Sequence, residues 1–287
     1  MCQDGKIMNY ESLARNKALG WLGRPTVRLV HAVDPTRLRL REFDRGASRD
    51  AGLVCVYRSE NSPIVVELVN QALELEMAVA LWALDSPIAS LAERTVGCGP
   101  GSRLQLLNRL CNLLPASAAG QLVVCDDDIM FERGGLRELL ALTKACHFGL
   151  AQPAHAPRSY VNHAITRARP LTLARVTTYV ESGPVVVISP EWRSRVLPFP
   201  EELGMGWGVD LVWSDLQKVG CRLGIVDGVS LRHLAPAARG YDVGPEAERL
   251  RAMMKTRGIE SLHAFQRTLD AWRIWQKEPP WRAARGG

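Results

Sequence analysis

Three consecutive carboxylates, Asp126-Asp127-Asp128, follow directly on the apolar run Leu122-Val123-Val124-Cys125. Held side by side they repel one another, and a fold tolerates that when a cation or a strong hydrogen-bond network takes up the charge. A divalent metal carrying a phosphorylated substrate is the sharper chemistry. The simpler one is an acidic turn capping a helix that starts near Gly134, with Asp128 and Glu132 at its N-terminus. A second chemistry-bearing stretch is Gly204-Met205-Gly206-Trp207-Gly208-Val209-Asp210, where a glycine-rich turn delivers a carboxylate to a helix start. Here Asp210 either acts on a ligand or caps its helix, and Trp207 either stacks on a ligand or fills the core. His233, after a later strand, is either a metal ligand or a hydrogen-bonded core histidine. Glu181 is a strand-end carboxylate, leaning toward acceptor contact.

The elements that must position these groups are legible from periodicity. Leu53–Ser59 reads as the first strand of a main sheet, and Asn61-Ser62-Pro63 as a helix start with an apolar stripe of Ile64, Val65, Leu68, Val69 and Ala72. Val79–Leu84, ending at Asp85, is the next strand, so the unit is a parallel crossover. The glycine-rich turn Gly97–Ser102 opens a helix through Leu104, Leu107 and Leu110. The run Leu122–Cys125 is a buried central strand, whose C-terminal end is where a ligand binds in a parallel sheet. Gly135–Cys146 is amphipathic and His147–Pro153 is a short strand leading into a polar, histidine-containing loop. Arg175–Ser189 reads as a strand pair or bent strand around Ser182-Gly183-Pro184. A helix runs from Val209 to a stop at Gly220, followed by strand Arg222–Val226 and its continuation to His233. From Glu246 to Pro279-Pro280 the pattern predicts a helical tail. Before residue 50 it predicts a weak helix within Met1–Gly23, then two strands, Val27–Val33 and Arg37–Arg41. The second places Arg37, Arg39 and Arg41 on one face as a charge-protected edge.

With 287 residues, 47% hydrophobic, the chain can bury a large core. Its apolar runs fall far short of the ~20 residues that cross a bilayer, and no secretory leader is visible at Met1. Seven scattered cysteines without a Cys-x-x-Cys spacing predict reduced thiols and a cytoplasmic protein. The net charge of +6 suits anionic partners. No motif favours nucleic acid. Trp272, Trp275 and Trp281, interleaved with Arg267, Arg273, Lys277 and Arg282, leave a peripheral membrane contact through the C-terminal helix open, with packing onto the domain preferred.

The acid cluster after a buried strand, the Gly-Trp-Gly-x-Asp stretch (Gly206 to Asp210) and His233, in that order, resemble the GT-A class of nucleotide-sugar glycosyltransferases, most closely its family-2-like bacterial members. The resemblance spans about Leu53 to Tyr241. It departs from the pattern in that Asp126 and Asp128 form the only spaced Asp-x-Asp pair and Asp210 lacks a preceding acid. It implies an α/β fold with a mixed, mainly parallel sheet flanked by helices. The implied organisation is an extension (1–50), a catalytic domain (51–245, with a nucleotide-binding half 51–128 and an acceptor-binding half 129–245) and the tail (246–287). The implied reaction is metal-dependent transfer of a sugar from a nucleotide-diphosphate donor, UDP-sugar favoured, to an acceptor hydroxyl, leaning to inversion. Asp128 and His233 then hold Mn²⁺ or Mg²⁺, with Asp126 facing the ribose or binding through water. Tyr57, Arg58, Ser59, Asp85, Arg103 and Asp127 lie on the nucleotide side. Asp210 is the implied base, with Trp207, Gly206, Gly208 and Glu181 on the sugar and acceptor side. Nucleotidyl transfer ranks lower, because Tyr57–Asn61 has no glycine loop, and a non-catalytic nucleotide- or sugar-binding scaffold is the alternative from another class.

Overall fold

The computed structural model describes residues 35–43, 50–236 and 242–285. The helix expected within Met1–Gly23 and the strand Val27–Val33 lie outside the described residues. Among those described, one ten-stranded sheet is built from β1 (Gly52–Tyr57), β2 (Ala78–Ala83), β3 (Thr95–Cys98), β4 (Leu122–Cys125), β5 (Ile129–Arg133), β6 (Leu150–His155), β7 (Thr172–Thr177), β8 (Val185–Ile188), β9 (Leu223–His233) and β10 (Thr268–Arg273). Their order is β10-β7-β9-β6-β8-β4-β1-β2-β3, with β5 paired to β9. The helices that matter for the site are α1 (Thr36–Leu40), α2 (Ser62–Glu74), α3 (Arg103–Leu113), α4 (Leu136–Ala145), α5 (Val209–Asp215) and α6 (Gly244–Thr256).

The expected crossover is present: β1, β2, β3 and β4 are mutually parallel, and α2 connects β1 to β2. Successive strand residues point to opposite faces. Leu53, Cys55 and Tyr57 therefore meet Val65, Leu68 and Val69 of α2 and Leu139 and Leu140 of α4 on one face. Val54, Ala80 and Trp82 meet Leu104, Leu107 and Leu110 of α3 on the other. Both faces of β4 are covered, which is why its four residues are all apolar. Next to it the sheet changes sense, because β8 runs antiparallel to both β4 and β6.

Four expectations are corrected. Arg37–Arg41 is not an edge strand: Thr36–Leu40 is a helix, started by Pro35 and anchored by Leu40, which packs in the first core. The acid cluster is not a helix cap, because β5 separates it from α4 and pairs with β9 some hundred residues downstream. The segment 175–189 is neither a pair nor one bent strand; β7 sits between β9 and β10, and β8 between β4 and β6. The tail is not one helix: α6 stops before Gly258, whose φ of +64° ends it, and Thr268–Arg273 adds a strand antiparallel to β7 at the sheet edge. That strand buries Trp272 against Phe43 in an edge-on contact at 5.6 Å, while Trp281 stacks on Phe148 at 5.8 Å. Two of the three tail tryptophans thus pack on the domain, and Trp275 stays 69% exposed. No described helix is long and apolar enough to cross a membrane.

The far side of the sheet is pinned by one buried ion pair. Arg175 on β7 donates to Asp227 on β9 through Nε (2.7 Å) and Nη2 (3.0 Å), and both side chains are fully buried. The remaining guanidinium hydrogens go to the carbonyls of Ile165 and Arg167 and to Thr268 Oγ1, and the Arg169 amide donates to Asp227 Oδ1. Removing one partner strands a buried charge, so Asp227→Ala is expected to cost about 3–5 kcal/mol of stability. Denaturant unfolding measures it; a loss below about 1 kcal/mol would mean that water reaches Arg175.

Candidate active site

The three carboxylates after β4 are held apart by being sent in three directions. Asp126 takes both Nε (2.8 Å) and Nη2 (2.7 Å) of Arg103, the first residue of α3, on its Oδ1. Arg103 Nη2 also donates to the Ser182 carbonyl. Asp127 is buried and accepts the Arg58 amide at 2.7 Å, so the end of β4 is tied to the end of β1. Burial raises the Asp127 pKa, against the opposing pull of the Arg58 amide and the Asn61 side chain. Asp128 faces His233 Nε2 at 3.1 Å across the β5–β9 ribbon. Burial works to lower the His233 pKa, but the Asp128 carboxylate outweighs it and the net movement is upward. The repulsion of three adjacent acids is thus relieved mainly by partners within the chain.

At the ends of β1 and β2, Ser59 donates to the exposed Asp85 through its hydroxyl (2.6 Å) and amide (3.0 Å), which lowers the Asp85 pKa. Arg58 lies beside them, half exposed, with Nη1 3.7 Å from Asp127. Tyr57 is different from its expected role. Its ring is in the core, its hydroxyl meets Thr95 at 2.9 Å, and no part of it is exposed. Its contribution is to seat the two residues that follow.

The glycine-rich turn packs on the same arginine. Gly206 adopts a φ of +107° that strains other residues, and a Cβ there would lie tightly, 3.0 Å from Ser182 Oγ and 3.3 Å from Arg103 Nη1. At Gly208 (φ +96°) a Cβ would meet Met253 Sδ of α6 at 2.6 Å. The close approach these glycines permit is therefore to Ser182, Arg103 and α6. Trp207, between them, is partly exposed. The turn delivers Asp210 to the second residue of α5, where Oδ1 accepts the Leu211 amide at 2.9 Å and Oδ2 accepts the Tyr179 hydroxyl. Gly208, not Asp210, is the cap of this helix, and Asp210 only accepts one amide within the first turn. Burial raises the Asp210 pKa.

Behind Asp210 lies a polar network centred on Glu181. Glu181 is 6% exposed, so it does not face an acceptor. It receives His155 Nε2 (3.2 Å) and Gln152 Nε2 (3.4 Å) on Oε2, with His163 Nε2 3.7 Å from Oε1, and its amide donates to Gln152 Oε1. Burial opposes its ionisation, yet the His155 hydrogen bond and the nearby imidazoles lower its pKa overall. Tyr179 joins His163 (2.9 Å) to Asp210. At the other end His155 Nδ1 meets Ser159 Oγ (2.6 Å), Ser159 Oγ accepts the His233 amide (2.8 Å), and the two imidazole rings stand 6.3 Å apart. Two hydrogen-bonded strings result, one from His163 through Tyr179 to Asp210 and one from Glu181 through His155 and Ser159 to the His233 amide, with His163 and Glu181 3.7 Å apart between them. Tyr179, His155, His163 and Gln152 were not singled out from sequence. The only local hint is that Tyr179 and Glu181 share a side of an extended segment.

No family model matches the chain, and no curated protein matches it in sequence. Solved structures match it in fold. GalNAc-T7, crystallised with UDP, GalNAc and Mn²⁺, superposes with a TM-score of 0.53 at 10% identity, over 71% of this chain and 48% of that one. The chain therefore spans about half the length of that structure. S. aureus TarS residues 1–349 gives 0.42 at 14% identity over 63% and 60% of the two chains. The inositol-1-phosphate CTP transferase from T. maritima gives 0.36 at 9% over 73% and 98%. The chain has the GT-A fold, with a mixed, mainly parallel sheet flanked by helices.

Proposed function

We propose that this chain is a metal-dependent glycosyltransferase that moves a hexosyl group from a nucleotide-diphosphate sugar, UDP-sugar favoured, to an acceptor hydroxyl with inversion. The observation that supports it most is the pairing of Asp128 with His233 Nε2 at 3.1 Å just beyond β4, together with Asp210 held at the start of α5 by the Tyr179 hydroxyl, in a fold whose neighbour was crystallised with UDP, GalNAc and Mn²⁺. Family-2-like membership, a cytoplasmic location and the 51–245 catalytic span belong to the same reading.

Asp128 and His233 offer one hard oxygen and one imidazole nitrogen, a donor set suited to Mn²⁺ and tolerable to Mg²⁺. Asp128 and His233 are the two residues that would hold the cation, and among the described residues no group of three or more His, Cys, Asp or Glu is gathered. Asp126 gives Oδ1 to Arg103, and its Oδ2 would serve the ribose or a water on the cation. The bound cation supplies neutralisation of the charge that develops on the leaving diphosphate. The chain's own residues do the rest. Arg58, Ser59 and Asp85 present the nucleotide surface at the switch between β1 and β4. Trp207 offers an apolar ring to a sugar face. Asp210 accepts the proton of the attacking hydroxyl on a carboxylate already oriented by Leu211 and Tyr179.

Calorimetric titration with UDP, GDP and dTDP, in Mn²⁺ and then with a chelator, tests the reading. Metal-dependent binding of one nucleotide, UDP expected, supports it. A folded protein that binds none of them in Mn²⁺ would leave the non-catalytic scaffold as the better account.

A further inference from the structure

Asp210 does not stand alone, and the geometry behind it allows every group to donate in one direction. The Gln266 side-chain nitrogen, which can only donate, faces His163 Nδ1 at 2.7 Å. A neutral His163 that accepts there must carry its hydrogen on Nε2, which lies 2.9 Å from the Tyr179 hydroxyl oxygen. The Tyr179 oxygen, already accepting, then has its own hydrogen free for Asp210 Oδ2, and the two are in contact. We propose that Gln266, His163 and Tyr179 form a one-way hydrogen-bond relay that positions Asp210 and holds it as a proton acceptor. The catalytic part of this inference rests on the glycosyl-transfer reading; the relay itself does not.

The relay is built from three distant parts of the chain, which argues for a device rather than an accident of one loop. Tyr179 lies in the segment after β7, His163 in the loop after β6, and Gln266 just before β10. The segments are clamped together around it: Thr178 Oγ1 donates to the Phe265 carbonyl (2.7 Å) and accepts the Arg267 amide (2.8 Å), while Ser214 Oγ and Gln217 Nε2 donate to the Thr178 carbonyl. The C-terminal segment thereby acquires a role at the site. The charged and titratable groups facing Asp210 are Tyr179, Glu181 and His163. Burial and the Glu181 charge oppose ionisation of Asp210, whereas the Tyr179 hydroxyl and the Leu211 amide favour it. Asp215, on the same helix, turns away to Lys218 and Arg257. Tyr179 is well placed to stay protonated, because burial and the two neighbouring carboxylates push its pKa well above the usual phenol range. It donates without yielding its proton.

The test is a carboxyl ¹³C NMR titration of Asp210, assigned with Asp210→Asn, in the unmodified protein and in Tyr179→Phe. Losing the donor is expected to move the Asp210 titration to higher pH. His163→Asn, at a less buried position, should move it the same way by less, and serves if Tyr179→Phe fails to fold. In parallel, UDP release from UDP-glucose, UDP-galactose and their N-acetyl forms is followed against pH in Mn²⁺. The acidic limb should move up with the carboxyl titration and kcat should fall roughly tenfold, the worth of a charge-assisted hydrogen bond. An Asp210 titration unmoved in both folded variants overturns the relay. A titration that moves in a protein that releases no UDP upholds the relay and overturns the transferase reading.

Discussion

Asp210→Asn is expected to lower sugar transfer by about 10²–10⁴-fold, the range that a positioned proton acceptor contributes, while leaving nucleotide affinity in Mn²⁺ close to that of the unmodified protein. The substitution keeps size and shape, and an Asn oxygen can still accept the Leu211 amide, so α5 keeps its first turn. What is lost is the only property a neighbour cannot replace, a carboxylate that can take a proton. The groups proposed to meet the nucleotide form a separate set, in which Asp127 accepts the Arg58 amide and Asp85 accepts from Ser59, and none of these bonds involves Asp210. The pH dependence follows in sign. Because burial raises the Asp210 pKa, activity should rise with pH through a limb above the usual aspartate range, and below it the protonated group accepts nothing. Parallel kinetics and calorimetry on the variant decide the matter. Near-normal transfer would place the base elsewhere and give weight to a retaining reaction.

The legible parts of this chain were those whose partner is close in sequence or whose pattern is unambiguous. The β1–α2–β2 unit, the apolar β4 and the helix after Gly208 each follow from a short run with one periodicity. Parts that depend on a remote partner were not legible. Ile129–Arg133 is too short to declare itself, and becomes a strand because β9 offers an edge. Thr268–Arg273 lies inside a basic, tryptophan-rich segment, and a helix explains that composition as well until β7 is seen beside it. Arg37–Arg41 alternates as a strand does, but Pro35 and the single anchor Leu40 decide for a helix. The candidate site divides in the same way. Asp126, Asp127, Asp128, Asp210 and His233 stand out by type and position. Tyr179, His163 and Gln266 do not, since each becomes informative only when chain segments far apart in sequence are brought into contact.

Asp128→Ala is the complementary experiment, expected to remove the whole metal-dependent increment of nucleotide affinity and to bring transfer to background. The backbone should survive the change, because the Leu234 amide bonds to the Asp128 carbonyl, which alanine retains. His233 remains in place through its own strand and the Ser159 contact to its amide, so a single imidazole is left where a carboxylate and an imidazole had converged. One neutral ligand holds a hard divalent cation poorly, and cation-assisted charge neutralisation is worth several kcal/mol to a diphosphate leaving group. Calorimetry with UDP should therefore give the same weak affinity with Mn²⁺ as with chelator. Asp126→Ala separates this from a general effect of removing an acid: it releases Arg103 and disturbs the packing under Gly206, yet it leaves the Asp128–His233 pair intact. It should keep a Mn²⁺-dependent gain in UDP affinity that Asp128→Ala lacks. If the two variants behaved alike, or if Asp128→Ala kept the gain, the cation would have to be held elsewhere, and the three acids after β4 would be no more than a structural knot between β1, α3 and β9.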